Sequence, residues 1–196
     1  ELAVTYSEGK PALARKTPQL VEKFLPLVMS MIQNVDEDGD WDDNIGDDED
    51  ADETEDSVRF GEEALERFMF AMGGNRMVPA TLPLVAQKLQ SPNWQERYVG
   101  LRSIALLASS ADKYLSKNLA EVVNMVASFL GDSNVRVIWA ATGAIAALCT
   151  CFGPTVQQHH HQQILPALVA LLGTAAHPRL RSRSARCIVD FTAECE

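Results

Sequence analysis

Three Leu-Pro pairs, Leu25-Pro26, Leu82-Pro83 and Leu165-Pro166, each run into an apolar stripe at helical spacing: Leu27 and Met31, Val85 and Leu89, Leu168 and Leu172. A proline well inside a helix removes a hydrogen bond and costs about 3 kcal/mol. Its return at one register therefore marks a repeated, kinked first helix. Pro83 and Pro166 are 83 positions apart, and a further stripe, Val123, Val126 and Leu130, falls halfway, with Asn124 in place of the proline. The period is in the forties.

Each first helix is followed by a short break, Ser91-Pro92-Asn93, Gly131-Asp132-Ser133 or Ala176-His177-Pro178, and then by a second stripe aligned on Ile104, Ile145 and Ile188. Two helices per unit at about 40 to 47 residues is the pattern of HEAT or armadillo-like arrays, and the two-helix unit favours HEAT. The expected fold is an all-α HEAT-repeat solenoid of about four helix pairs. The expected division is 1–16 as the end of a preceding repeat, then repeats 17–72, 73–111, 112–153 and 154–196. Helices are predicted over 1–15, 17–34, 57–72, 76–90, 94–110, 113–130, 134–151, 155–173 and 178–195. Trp94, Tyr98, Leu101, Ile104 and Leu107, and likewise Val135, Ile138, Thr142, Ile145 and Leu148, advance by three or four and read as core faces.

The interval from Pro26 to Pro83 is 57, sixteen longer than the spacing of 41 that follows, and an acidic spacer fills the excess. Fourteen of the twenty-one residues from 36 to 56 are Asp or Glu and none is Lys or Arg. The first block is Asp36, Glu37, Asp38, Asp40, Asp42 and Asp43, with Trp41 inside it. The second is Asp47, Asp48, Glu49 and Asp50, followed by Asp52, Glu53, Glu55 and Asp56. Such like-charge blocks lack the apolar surface to offset ordering entropy, so a solvated loop within one repeat is expected. A long insertion of this kind in a compact array is more often functional than idle, and its chemistry suits a basic protein partner. An EF-hand reading fails, because Trp41 and Asp47 stand where Gly and Glu are required.

The formal net charge of -10 is largely the spacer's, since the remaining thirteen acids face seventeen Lys and Arg. No dense basic face compensates the loop, which argues against nucleic acid as partner. Cys149, Cys151, Cys187 and Cys195 lack paired CxxC spacing and read as reduced, packed thiols of a cytosolic or nuclear protein. No apolar run of bilayer length and no targeting segment is read, so no membrane is implied. The chain opens at Glu1 without a methionine and stops at Glu196 inside a helical pattern, as a piece of something longer would.

Gly61-Glu62-Glu63-Ala64-Leu65-Glu66-Arg67, then Gly73-Gly74, Leu89-Gln90-Ser91-Pro92-Asn93-Trp94 and Phe191-Thr192-Ala193-Glu194-Cys195 resemble, in that order, the middle of an importin beta-type nuclear transport receptor of the karyopherin beta-three (importin-five) branch. Val4-Thr5-Tyr6-Ser7-Glu8 and Pro11-Ala12-Leu13-Ala14-Arg15-Lys16 resemble the repeat before that branch's acidic loop. The chain departs from the family in the Gln157–Gln163 tract and in Arg183 and Arg186. The resemblance implies a monomeric receptor that carries basic cargo, contacts phenylalanine-glycine nucleoporins and Ran-GTP, and shuttles between cytoplasm and nucleus. It also implies that residues 36–56 are the loop that meets Ran and nearby cargo, and that second helices line the cargo face. Glu62, Glu63, Glu66, Trp94 and Trp139 are the candidate cargo-face residues. Their plainer reading is helix-dipole stabilisation for the acids and core packing for the tryptophans.

His159, His160 and His161 point in different directions on a helix and read as a polar cap between repeats rather than a metal site. Arg179, Arg181, Arg183 and Arg186 read equally as an anion site or as solvated helix charges. With no phosphate loop, no Ser/His/Asp set, no metal-ligand cluster and no implied cofactor, the chain is expected to act by binding and not as an enzyme. The other reading of the same repeats is a phosphatase-type structural scaffold without Ran control, and a hydrolase using paired acids is a third and weaker one.

Overall fold

A computed structural model describes residues 1–35 and 56–193 of the chain. Every expectation for residues 36–55, and for Glu194, Cys195 and Glu196, lies outside the described residues. Among those described, all regular elements are helical: α1 (Leu2–Gly9), α2 (Pro11–Ala14), α3 (Pro18–Ile32), α4 (Asp56–Met72), α5 (Gly74–Leu89) and α6 (Trp94–Ser110). They continue with α7 (Asp112–Leu115), α8 (Leu119–Ala127), α9 (Val135–Phe152), α10 (Thr155–Thr174) and α11 (Pro178–Ala193). The architecture is the all-α paired-helix solenoid that the period demanded.

Helix α3 packs on α4, α5 on α6, α8 on α9 and α10 on α11. The second members, preceded by α1, form one layer in which α1 touches α4, α4 touches α6, α6 touches α9 and α9 touches α11. First members form the other layer through α3–α5 and α8–α10 contacts. The core lies between them: Leu25, Met29 and Ile32 of α3 are buried with Leu65, Phe68 and Met69 of α4, and the Phe24 and Phe68 rings meet at 4.6 Å. Each such side chain contributes roughly 1.5–3 kcal/mol on burial, which no single pair could gather alone.

Several expectations need correction. The helix predicted over 1–15 breaks at Lys10, because Pro11 restarts the chain at the first turn of α2 and lacks the N–H needed to continue α1. The one predicted over 113–130 is segmented into α7, a 3-10 turn Ser116–Asn118, α8 and a second 3-10 turn Ser128–Gly131. Leu27 and Leu172, members of the apolar stripes, are exposed, and the buried face of α3 runs through Val21, Leu25, Val28, Met29 and Ile32. Cys151 is also exposed whereas Cys149 is buried, since two positions along a helix turn a side chain to the far side. Helix α9 is long and apolar enough to match a bilayer span by composition, contrary to the sequence reading, yet most of it is buried inside the array. It is the central core helix, packed by α6, α8, α10 and α11. Helices α3, α5 and α10 run through Pro26, Pro83 and Pro166 without interruption, and α5 carries a further Pro79 one turn earlier.

Successive pairs are registered at their turns. Asn93 caps α6 by accepting from the Gln95 N–H at 2.9 Å, and Asn134 caps α9 by accepting from the Arg136 N–H at 2.9 Å. Arg97 joins the two turns. It donates to the Ser91 and Pro92 carbonyls at 3.0 Å in its own turn and, as a two-pronged fork, to Asp132 at 2.8 and 2.9 Å in the next. Asp132 in turn accepts from the Asn134 N–H at 2.8 Å. At the amino-terminal end Arg67 of α4 grips Glu8 of α1 at 2.7 Å and Glu1, just before that helix, at 3.2 Å, in far more exposed contacts. Hydrogen bonding to Arg67 holds the Glu8 carboxyl below the usual carboxylate range, an effect that desolvation opposes and charge attraction to Arg67 reinforces.

Side chains of Arg97 and Asp132 are only 13% and 9% exposed, so truncating one strands its partner away from water. Asp132→Ala is expected to lower unfolding free energy by about 3 kcal/mol, read from urea denaturation followed by circular dichroism. Arg67→Ala, at a solvent-screened pair, should shift the same curve much less.

Candidate functional site

Among the described residues, the layer of second helices displays most of the side chains singled out from the sequence. Glu62 projects from α4 and meets Arg102 of α6 in a bidentate pair, Nε to Oε1 at 2.5 Å and Nη2 to Oε2 at 2.6 Å. Both side chains are about four-fifths buried. Arg102 then approaches the Trp139 ring of α9, its Cζ 5.4 Å from the ring centre. Arg183 of α11 reaches back over the same ring at 3.8 Å. One side chain from each of four consecutive second helices thus forms a line: Glu62, Arg102, Trp139, Arg183.

Gly143 makes the last step of that line. It lies one turn beyond Trp139 on α9, and a Cβ there would overlap the Arg183 guanidinium. The bare backbone is the bed in which the arginine lies flat. Trp94 is half-buried at the start of α6, edge-on to Tyr98 at 6.5 Å and 5.8 Å from the Arg136 guanidinium. The structure therefore brings Glu62 and Trp139 into one network and leaves Trp94 in a separate cluster. Glu63 is exposed and Glu66 half-buried on α4, and Asp56 opens that helix. Loop residues Asp36 to Glu55 lie outside the described residues.

Arg102 and Arg136 were not singled out from the sequence as site residues. The available signal was spacing, since Arg102 follows Glu62 by 40 positions, close to one period, which is the separation of neighbours in adjacent second helices.

Beyond the line, α9 and α11 frame a cleft of about 230 Å³. Ala146 and Ala147 give it small walls, and Arg183, Arg186, Cys187 and Asp190 face it from α11. The Cys187 thiol is buried and donates to the Thr142 carbonyl at 3.6 Å. Burial, reinforced by Asp190 and opposed by Arg183, pushes its pKa up to about 12, so it stays a neutral thiol. His159 and His161 are exposed on α10, where the His161 ring nitrogen Nδ1 lies 3.0 Å from the Gln157 carbonyl. Burial and the neighbouring His159 charge lower the His160 pKa. Among the described residues no three His, Cys, Asp or Glu gather as a metal-binding set.

Residues 1–79 match the importin repeat family model. Over 98% of its length the chain is 24% identical to importin subunit beta-3 of Saccharomyces cerevisiae, of which it spans 18%. Solved structures of Kap121p bound to Pho4p and of Kap121p bound to RanGTP align with it at TM-scores of 0.89 and 0.88 and identities of 23% and 22%. Each alignment covers 98% of this chain and 19% of Kap121p. The HEAT-repeat solenoid is the shared fold, and the resemblance to the beta-three branch read from residue order is borne out across the chain. The chain spans about a fifth of the length of these relatives.

Replacing Gly143 with alanine is expected to push the Arg183 guanidinium off Trp139. The helix gains up to about 1 kcal/mol in propensity and loses a cation–π contact worth about as much, so stability should barely move. Near-ultraviolet circular dichroism in the tryptophan bands should change while the far-ultraviolet spectrum does not. Thiol labelling of the native chain, located by peptide mass spectrometry, should modify Cys151 and spare Cys149 and Cys187 until denaturant is added.

Proposed function

We propose that the chain is a segment of a nuclear import receptor, acting by noncovalent binding of basic protein cargo and of Ran-GTP. The observation that carries this reading is the match of residues 1–79 to the importin repeat together with likeness to yeast importin subunit beta-3 over almost the whole chain. Kap121p, with the same fold, is solved with RanGTP and with Pho4p. In this reading the acidic stretch 36–56 supplies the charge for capture. Clustered carboxylates accelerate encounter with Lys- and Arg-rich surfaces and lose range as salt shortens the Debye length to about 8 Å. The second-helix layer supplies the docking face, with Glu63 and Glu66 continuing the negative charge onto α4. Glu62 contributes less, because Arg102 already neutralises it. Contacts with phenylalanine-glycine nucleoporins and shuttling through the nuclear pore follow for the whole receptor of which this would be a part.

A length-preserving variant, with every Asp and Glu of 36–55 changed to its amide, separates this from a scaffold without nucleotide control. Binding of Ran-GTP and of a Lys-rich peptide would be followed by fluorescence anisotropy across a salt series. The native chain should bind both, with affinity falling as salt rises, and the amide variant should bind about tenfold more weakly at low salt. Absence of Ran-GTP binding, or equal binding by the two forms, would count against the reading.

A further inference from the structure

Glu62 and Trp139 have one capacity in common, which is to hold a cation. A carboxylate with both oxygens engaged and an aromatic ring beside it suits a guanidinium above all, through a two-pronged hydrogen bond and attraction to the ring. In this chain that seat is filled from within. Arg102 donates from Nε and Nη2 to the two Glu62 oxygens at 2.5 and 2.6 Å, and its Cζ lies 5.4 Å from the centre of the Trp139 ring. The three side chains come from three successive second helices, α4, α6 and α9.

The Arg102 and Glu62 side chains are 18% and 20% exposed, so the seat opens on the second-helix face and does not lie inside the core. The rest of the pair is shielded from water, which strengthens its attraction. Trp139 is fixed independently of Arg102, since its ring is only 9% exposed and meets the Arg183 guanidinium at 3.8 Å. Taking Arg102 away therefore leaves the carboxylate and the ring in place. A tethered arginine competes with an outside cation at high effective concentration. The seat accordingly stays shut to an isolated basic side chain and yields only to a segment with further contacts on the layer.

We propose that Arg102 is the internal occupant of a cation seat formed by Glu62 and Trp139, and that it holds down the affinity of the second-helix face for basic protein segments. The ligand the seat takes in place of Arg102 is an arginine side chain of such a segment, preferred over lysine because only a guanidinium reproduces the fork on Glu62. The inference rests on the basic-cargo reading and deepens it. Glu63 and Glu66 of the same helix attract the segment, and Arg102 limits how tightly it is kept, which favours release.

The test uses the full chain and two fluorescein-labelled dodecapeptides that differ only in carrying Arg or Lys at their basic positions. Arg102→Met keeps the apolar stem and removes the fork, leaving a mostly buried carboxylate for the peptide to pair. This variant should bind the Arg peptide about tenfold more tightly than the parent, with a smaller gain for the Lys peptide. Adding Glu62→Gln should cancel the gain. Arg181→Gln removes the same charge from an exposed position on α11 outside the line, and should change binding by less than about twofold. Thermal melts separate binding from folding: Arg102→Met should melt below the parent, the double variant should recover, and the Arg peptide should raise the melt of Arg102→Met more than that of the parent. Equal affinity of Arg102→Met and the parent for the Arg peptide overturns the proposal. So does a gain that survives Glu62→Gln, is matched by Arg181→Gln, or is as large for the Lys peptide. A parent that binds both peptides beside an Arg102→Met that binds no better sinks this inference and leaves the basic-cargo reading standing. A parent that binds neither, beside an Arg102→Met that binds the Arg peptide, does the reverse.

Discussion

No helix pair of this array can bury its apolar face alone, so register between pairs is the condition on which everything else rests. Arg97 enforces that condition at the centre of the molecule. It binds the carbonyls of its own turn and the carboxylate of the next, and Asp132 uses a second lone pair on the cap residue that starts α9. One charge thus ties the turn that leads into α6 to the turn that leads into α9. The apolar contacts supply far more free energy, but they would tolerate sliding by a fraction of a turn, whereas a two-pronged hydrogen bond does not.

With register fixed, the second-helix layer presents side chains at nearly constant height along the array. Glu62, Arg102, Trp139 and Arg183 come from four helices, and each touches the next. The alternation of acid, cation, ring and cation along the line explains how a half-buried layer can hold charges at all. Each guanidinium on it has a carboxylate or an aromatic face beside it. The same arrangement divides the surface by sign, with carboxylates gathered on α4 and arginines concentrated on α11.

The fold was legible because proline and glycine punctuate a period that apolar stripes repeat, and stacking leaves such a pattern few alternatives. Finer reading failed where the stripe alone was ambiguous. Leu27 and Leu172 belong to stripes that follow Leu-Pro pairs, yet α3 and α10 turn those residues outward. Pro11 was visible but its effect on α1 was underestimated, and nothing in Lys113 to Leu130 signals that the helix there is cut by 3-10 turns. The candidate acids and tryptophans were recognisable as members of second helices, whereas their partners were not. Arg102 and Arg183 meet Trp139 across repeat boundaries, and only the backbone path brings together residues so far apart in sequence.

Gly143 and Arg183 illustrate what such cross-repeat fits imply for how the sequence can change over time. A side chain at 143 and a long cation lying across that backbone exclude each other sterically. The two positions must drift together or in a fixed order, the arginine yielding before the glycine does. Among descendants of this chain, the residue found at 143 should therefore forecast the one at 183, although forty positions and a whole helix separate them.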